Sequence, residues 1–295
     1  MQKSNLYTFG FALTVCICCS VALALASTNL KPAQDLSARL DVVKNILSVA
    51  GMAEDEIQKM ERQNPAALLD LYNKRFQPLI IDKNNQEVPL AELKSELEGK
   101  LGYPKSDLDQ KAAFEITKIF DTKLALLASK AGKSKSEYDQ KYKLIFLDKP
   151  GDTVDAYIIP VEGMGLWNMI YGYMAIQPDL TTVKDVRFYD QQETPGLGGE
   201  CSKSWFTDRF KNKQFITETG AFKPIAVIKG KVKELYPNPE HQVFYVEGIS
   251  GGTITGNGIT AFLKEDLAAY NDYFATMRLK RDQVSRNADQ REKSK

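Results

Sequence analysis

Residues Leu6 to Ala26 read LYTFGFALTVCICCSVALALA, 21 positions without a charge. No other stretch restricts the fold as much, because roughly 20 consecutive apolar residues wound as a helix match the thickness of a bilayer core. Lys3 precedes the run and Lys31 is the next charge after it. Ala24-Leu25-Ala26 has the small side chains of a signal-peptide cleavage site, but apolar cores of signal peptides span only about 7–15 residues. We therefore read residues 1–28 as a retained N-terminal transmembrane anchor, touching lipid through residues 6–26. The body of the chain after Ser27 is expected to be exported.

That body is compositionally ordinary. The whole chain has 295 residues, 43% hydrophobic and 26% charged, with a net charge of +1. Such a balance gives no electrostatic case for nucleic acid as a partner. Cys16, Cys18 and Cys19 lie in the apolar run, where they read as small apolar filling rather than metal ligands. Cys201 is then alone, so no intramolecular disulfide is expected in the exported body. The one histidine, His241, sits in a loop-like NPEHQ segment with no nucleophile elbow near it. HExxH, zinc-type Cys/His spacing and a Walker A sequence are all absent. GMG (163–165) and GLGG (196–199) fail to complete a dinucleotide fingerprint. Neither catalytic residues nor a metal site are assigned, and an independent hydrolase or dehydrogenase is excluded.

Periodicity divides the chain further. Leu36, Leu40, Val43, Leu47 and Ala50 predict an amphipathic helix over 33–51, capped by Gly51. Helical pattern continues over 53–76 with a break at Pro65. QPLIID (77–82) is a strand with an Asn84-Asn85 turn after it. Residues 90–100 and 107–131 favour helix or mixed structure, making 29–142 a helix-rich region that packs on the β-rich part of the chain. From residue 143 the texture becomes β-rich. KLIFL (143–147), DAYIIPV (155–161), YGYMAIQ (171–177) and VKDVRFY (183–189) alternate with turn residues. Most of the links are too short for crossover helices, so these strands are antiparallel. IAVIKG (225–230) and QVFYVEGI (242–249) are further strands, and Lys203–Lys213 suits a helix. Ile259–Arg278 is a long helix with Leu263, Leu267, Tyr270 and Phe274 on one face. Residues 279–295 form a charged tail with a disordered finish. The expected fold class is α+β, a mostly antiparallel sheet over 143–278 with flanking helices.

Two glycine-rich loops carry a chemical signal. In QQETPGLGGE (191–200), proline fixes one backbone angle and the glycines allow backbone to approach closely. Such a loop can lay N–H groups against a planar, electron-rich ligand, with Glu193 and Thr194 beside them, or it can simply turn the chain. EGISGGTITGNG (247–258) carries three hydroxyls, Ser250, Thr253 and Thr255, without a base to activate them. Its SGGT leads into the last helix, whose N-terminal amides suit a phosphate; a plain helix cap is the other reading. A hydroxyl esterified by a different enzyme needs exposure and small neighbours but no internal base.

ETPGLG followed fifty-odd residues later by S-G-G-T resembles the bacterial FMN-binding domain family of membrane redox pumps. Within it the chain is most similar to the C subunits of the Na+-translocating NADH:quinone reductases. GLWNMIYGYMAIQPDLTTVKDVRFYDQQETPGLGGE (165–200), LKPAQ and NILSVAG all carry the likeness, which spans most of 6–275 and is weakest over 55–140. The resemblance implies FMN held covalently by a phosphoester to the threonine that ends Ser250-Gly251-Gly252-Thr253, with Thr255 the nearest alternative. It implies a flavin transferase, using FAD and magnesium, as a maturation partner. Glu193, Thr194, Leu197 and Gly198 would line the isoalloxazine ring, and backbone N–H groups would face its pyrimidine side. Of Trp167, Tyr171, Tyr173 and Trp205, most are expected to lie in the core or against neighbouring subunits, with one or two near the ring.

The flavin domain would lie on the periplasmic side of the bacterial inner (cytoplasmic) membrane. It would relay single electrons among the other subunits of a complex that couples NADH oxidation and quinone reduction to sodium export. Two positions depart from the family pattern: Gly252 stands where alanine is usual, and Glu247 where aspartate is usual. The alternatives are a flavoprotein like the G subunit of an Rnf-type ferredoxin:NAD reductase and a membrane-tethered scaffold without flavin.

Overall fold

The computed structural model describes residues 5–109, 111–130 and 142–293, and the chain divides into two compact units, residues 1–44 and 45–295. The first unit is helical throughout its described length. Helix α1 (Asn5–Val49) joins the expected anchor to the expected amphipathic helix without a break. Pro32 lies inside it and removes one hydrogen-bond donor, yet its flanks continue the helix. The apolar run is exposed from residue 7 to residue 26, and the helix is long and apolar enough to cross a membrane.

The second unit begins with the end of α1, where Ile46, Leu47 and Val49 are buried. Gly51, at φ +102°, closes the helix: Gly51 N–H donates to Ser48 O and Met52 N–H to Leu47 O, both at 3.0 Å. Helices α2 (Glu54–Gln63) and α3 (Pro65–Arg75) meet at Asn64, whose side chain accepts from the amides of Ala66 and Ala67. The expected break at Pro65 is thus an N-cap followed by proline at the first helical position. Strands β1 (Phe76–Asp82) and β2 (Glu87–Val88), then helices α4 (Leu90–Leu101), α5 (Lys105–Asp109) and α6 (Ala113–Lys130), come before β3 (Tyr142–Asp148). With β4 (Ala156–Met164), β5 (Met169–Ile176) and β6 (Val183–Asp190), the strands form one antiparallel sheet in the order β2-β1-β3-β4-β5-β6. The sheet therefore runs across the boundary expected at 142/143.

After β6 a 3₁₀ turn (Gly198–Ser202), helix α7 (Ser204–Thr207) and a second 3₁₀ turn (Asp208–Phe210) replace the single helix expected over Lys203–Lys213. Phe206 and Phe210 are both buried, one turn apart, so the short pieces still deliver an apolar face to the core. Strand β7 (Ala226–Ile228) pairs in parallel with β8 (Tyr245–Glu247), and helices α8 (Val232–Leu235) and α9 (Pro239–Gln242) connect them. Both strands are shorter than their apolar runs implied; ahead of β8, Asn238 and Pro239 start a helical turn that takes up Gln242.

Helix α10 (Thr253–Lys293) closes the fold. It starts six residues before the expected Ile259 and continues through 279–293, where a disordered finish was expected. That stretch contains no glycine or proline and is rich in helix-forming Lys, Arg, Gln and Glu. Leu263, Leu267, Tyr270 and Phe274 share one buried face, as their spacing predicts. They pack with Ile159, Val161, Met174, Val186 and Phe188 in one apolar cluster. Each fully buried Leu or Phe contributes about 1.5–3 kcal/mol. Gly163 admits the helix closely, since a Cβ there would lie 2.2 Å from the Phe262 Cβ. On the opposite face of the sheet, Phe146 packs edge-on against Tyr72 of α3.

Candidate functional site

The two glycine-rich loops meet at the start of α10. Thr194-Pro195-Gly196-Leu197 closes a turn with Leu197 N–H donating to Thr194 O at 3.1 Å, and Gly196 at φ +75° takes the position that favours glycine. Ile249-Ser250-Gly251-Gly252 repeats the arrangement: Gly252 N–H donates to Ile249 O at 3.0 Å and Gly251 has φ +72°. Gly252 O then accepts from Gly256 N–H at 2.9 Å, making Gly252 the cap of a helix whose first residue is Thr253. Glycine offers no capping side chain. The first-turn amides of Thr253, Ile254 and Thr255 therefore have no intrahelical acceptor, and they sit at the positive end of the helix dipole.

Between the turns lies a cleft of about 250 Å³ lined by Leu166, Glu193, Thr194, Leu197, Gly198 and residues 251–255. It gathers seven of the eight residues singled out in the sequence: Glu193, Thr194, Leu197, Gly198, Gly251, Gly252 and Thr253. Ser250 is exposed on its turn and does not line the cleft. Leu166 and Ile254 are additions, and Thr255, the alternative attachment site, lines the cleft too. The threonines two positions apart point oppositely, since successive helical residues are offset by about 100°. Thr253 is exposed, whereas Thr255 is 1% exposed.

Thr255 is occupied. Its Oγ1 donates to Glu193 Oε2 at 2.5 Å, while Glu193 Oε1 accepts from the backbone N–H groups of Leu166 at 3.0 Å and Trp167 at 2.9 Å. One buried carboxylate thus ties the β4–β5 turn, the ETPGLG loop and the first turn of α10 together. Burial pushes the Glu193 pKa up, but the Thr255 hydroxyl and the Trp167 and Leu166 amides outweigh it and hold the group below the usual glutamate value. Those two amides, spent on Glu193, do not face the cleft as free donors. A Cβ at Gly198 would lie 2.3 Å from Thr255 Oγ1 and 2.8 Å from Glu193 Oε2. Gly198→Ala is accordingly expected to cost about 1–3 kcal/mol by overpacking. Gly99→Ala, in the interior of α4 with nothing within 4 Å, should instead stabilise by about 0.5–1 kcal/mol. Thermal unfolding of the two variants checks the contrast.

The rim of the cleft is apolar and exposed, with Leu166, Trp167, Leu197 and Ile254 all facing solvent. Trp167 Nε1 donates to Thr194 Oγ1 at 3.1 Å across the mouth. Trp205 is half-exposed under the Arg209 guanidinium, which lies 4.8 Å from its ring and donates to the carbonyls of Glu247 and Gly248. Tyr173 is buried in the sheet. The two departures from the family pattern are also accounted for. Glu247 pairs with Lys231 Nζ at 3.1 Å and accepts from Val232 N–H at the start of α8, away from the cleft lining. A Cβ at Gly252 would meet the Ile249 side chain at 3.1 Å, so alanine there requires Ile249 to give by only a few tenths of an ångström.

Residues 165–268 match the family model described as the FMN-binding domain. This segment contains the whole cleft. The chain is 31% identical to the C subunit of the Na(+)-translocating NADH-quinone reductase of Vibrio parahaemolyticus serotype O3:K6, over 85% of this chain and 86% of that one. It is 29% identical to the corresponding protein of Pseudomonas aeruginosa, over 89% and 91%. The chain belongs to the family of C subunits of Na(+)-translocating NADH-quinone reductases. Two solved structures share its fold: the C subunit from Parabacteroides distasonis ATCC 8503 (TM-score 0.56, 22% identity, covering 83% of this chain and 96% of that one) and Shewanella oneidensis NqrC (TM-score 0.53, 20% identity, 81% and 96%).

Proposed function

We propose that this chain is an electron-relay subunit of a membrane Na+-translocating NADH:quinone oxidoreductase and carries FMN as a phosphoester on Thr253. The observation that carries the reading is the division of labour between two threonines. Thr253 presents a free, exposed hydroxyl on an uncapped helix start beside the cleft, and Thr255 is buried and committed to Glu193. The residues present suit FMN. First-turn amides of α10 would hold the phosphate. Leu166, Leu197 and Ile254 would cover the ring, and the Thr194 hydroxyl would offer it a polar contact. Bound FMN supplies the electron acceptance and donation; the protein fixes its position and potential. Ser250, Gly251 and Gly252 act through the tight turn that leaves Thr253 accessible.

Attachment needs no base in this chain, because an exported flavin transferase would bring FAD, magnesium and the base that takes the Thr253 proton. The anchor, residues 1–28, would hold the protein in the bacterial inner membrane through lipid contacts at 6–26. Residues 143–278 would form the flavin domain on the periplasmic side, with β1 and β2 extending its sheet and 279–295 as a charged tail. Electrons would pass to and from other subunits of the complex. Co-expression with a matching flavin transferase tests the reading. The expected result is a band that fluoresces under ultraviolet light on a denaturing gel, and an FMN mass increment on the peptide containing Thr253. A dark band with unmodified peptide would instead favour a membrane-tethered scaffold.

A further inference from the structure

We propose that Glu193 sets the reduction potential of the bound flavin by keeping an uncompensated negative charge in the floor of the cleft. The proposal rests on the flavin reading above. Glu193 is 5% exposed and lines the cleft. Its carboxylate accepts from three neutral donors: the amides of Leu166 and Trp167 and the hydroxyl of Thr255. Each of them favours the ionised over the protonated form. Among the described residues no Lys, Arg or His forms an ion pair with Glu193. The arrangement stabilises a charge by hydrogen bonding and does not cancel it.

The carboxylate packs directly against Gly165 and Gly198, and its three hydrogen bonds hold it there. A Cβ at Gly165 would lie 2.6 Å from Glu193 Oε1, and one at Gly198 2.8 Å from Oε2. The charge is thus fixed in place as well as in protonation state. Glu193 itself is buried, and around a buried charge Coulomb energies are larger than in bulk solvent. A ring held in the cleft takes up negative charge when reduced, and the resident carboxylate opposes this, so the flavin becomes a stronger reductant. A purely structural Glu193 would do none of this; it would only tie the three segments together.

Glu193→Gln separates the two roles. Glutamine keeps the shape and one acceptor oxygen for the Leu166 and Trp167 amides, and its NH₂ can donate to the Thr255 hydroxyl. Only the charge is lost. In the full-length, flavin-loaded protein, the midpoint potential of Glu193→Gln should rise by the equivalent of about tenfold in the reduction equilibrium constant, about 59 mV per electron. Thr255→Val removes a donor but keeps the carboxylate. It should lower the unfolding temperature without that shift in potential. A redox-difference infrared spectrum of the wild type should contain an ionised-carboxylate band that moves on reduction.

A loaded Glu193→Gln protein with the wild-type potential overturns the proposal. So does a folded Glu193→Gln protein that takes no flavin while the wild type does, since the carboxylate would then act in attachment. If the glutamine variant does not fold, the infrared spectrum decides: no carboxylate band responding to reduction overturns the proposal. Wild-type protein that takes no flavin sinks the flavin reading itself, a result distinct from all of these.

Discussion

Thr253→Ala should leave the chain folded and abolish covalent flavin completely, turning a fluorescent denatured band dark. The fold survives because Thr253 is exposed at the first position of α10 and alanine is the best helix former. The ester is lost because the neighbouring hydroxyls are placed differently: Thr194 lies in the other loop, where its Oγ1 accepts from Trp167 Nε1 at 3.1 Å. Ser250 is exposed, but it lies on the preceding turn and outside the cleft lining. Thr255 lines the cleft from below, 1% exposed and donating to Glu193. Ser250→Ala should leave fluorescence intact. Thr255→Ala should leave it intact too, while removing a charge-assisted hydrogen bond and costing about 1–3 kcal/mol of stability. Fluorescence and thermal unfolding of the three variants thus read different things. A dark Thr255→Ala band beside a bright Thr253→Ala band would move the attachment to Thr255 and require the first turn of α10 to open.

Much of this geometry is legible in the sequence where the controlling interaction is local. The antiparallel strands follow from alternation and short turns. The closure at Gly51 follows from one glycine after a periodic run, and the break at Pro65 from Asn64 ahead of it. Both glycine-rich loops stand out by their glycine spacing, and the first by Pro195 as well. What stays hidden depends on distant partners. Gly256 and Gly258 look like loop residues, so the start of α10 is read too late. The helix needs them because a Cβ at Gly258 would lie 2.3 Å from the Met164 carbonyl oxygen, and one at Gly256 would lie 3.1 Å from Val227 Cγ1. Likewise Glu193 reads as a ring-lining acceptor from its motif. Its partners, the amides of Leu166 and Trp167 and the hydroxyl of Thr255, come from segments that only the tertiary fold brings together. The parallel pairing of β7 and β8 is a long-range choice of the same kind.

A second large effect is expected far from the cleft, at Arg75 and Asp148. Arg75 Nε and Nη2 clasp Asp148 Oδ1 and Oδ2 at 2.6 and 2.8 Å, and Nη2 also reaches the Ala50 carbonyl at 3.5 Å. One bidentate pair therefore joins the end of α3, the residue after α1 and the end of β3. The two partners differ in exposure: the Asp148 side chain is 0% exposed and that of Arg75 is 21%. Removing either leaves the other uncompensated, but unequally. The Arg75 guanidinium can turn toward water after Asp148→Ala, whereas Asp148 cannot reach it after Arg75→Ala. Arg75→Ala should consequently be the worse variant, losing about 3–5 kcal/mol, with Asp148→Ala losing less. The double variant Arg75→Met/Asp148→Leu should regain most of the loss, because a well-packed apolar pair carries no desolvation penalty. Denaturant unfolding of the solubilised chain measures all three. Equal losses in the single variants would mean that Asp148 finds water or another donor once Arg75 is gone, and that the pair contributes geometry more than charge.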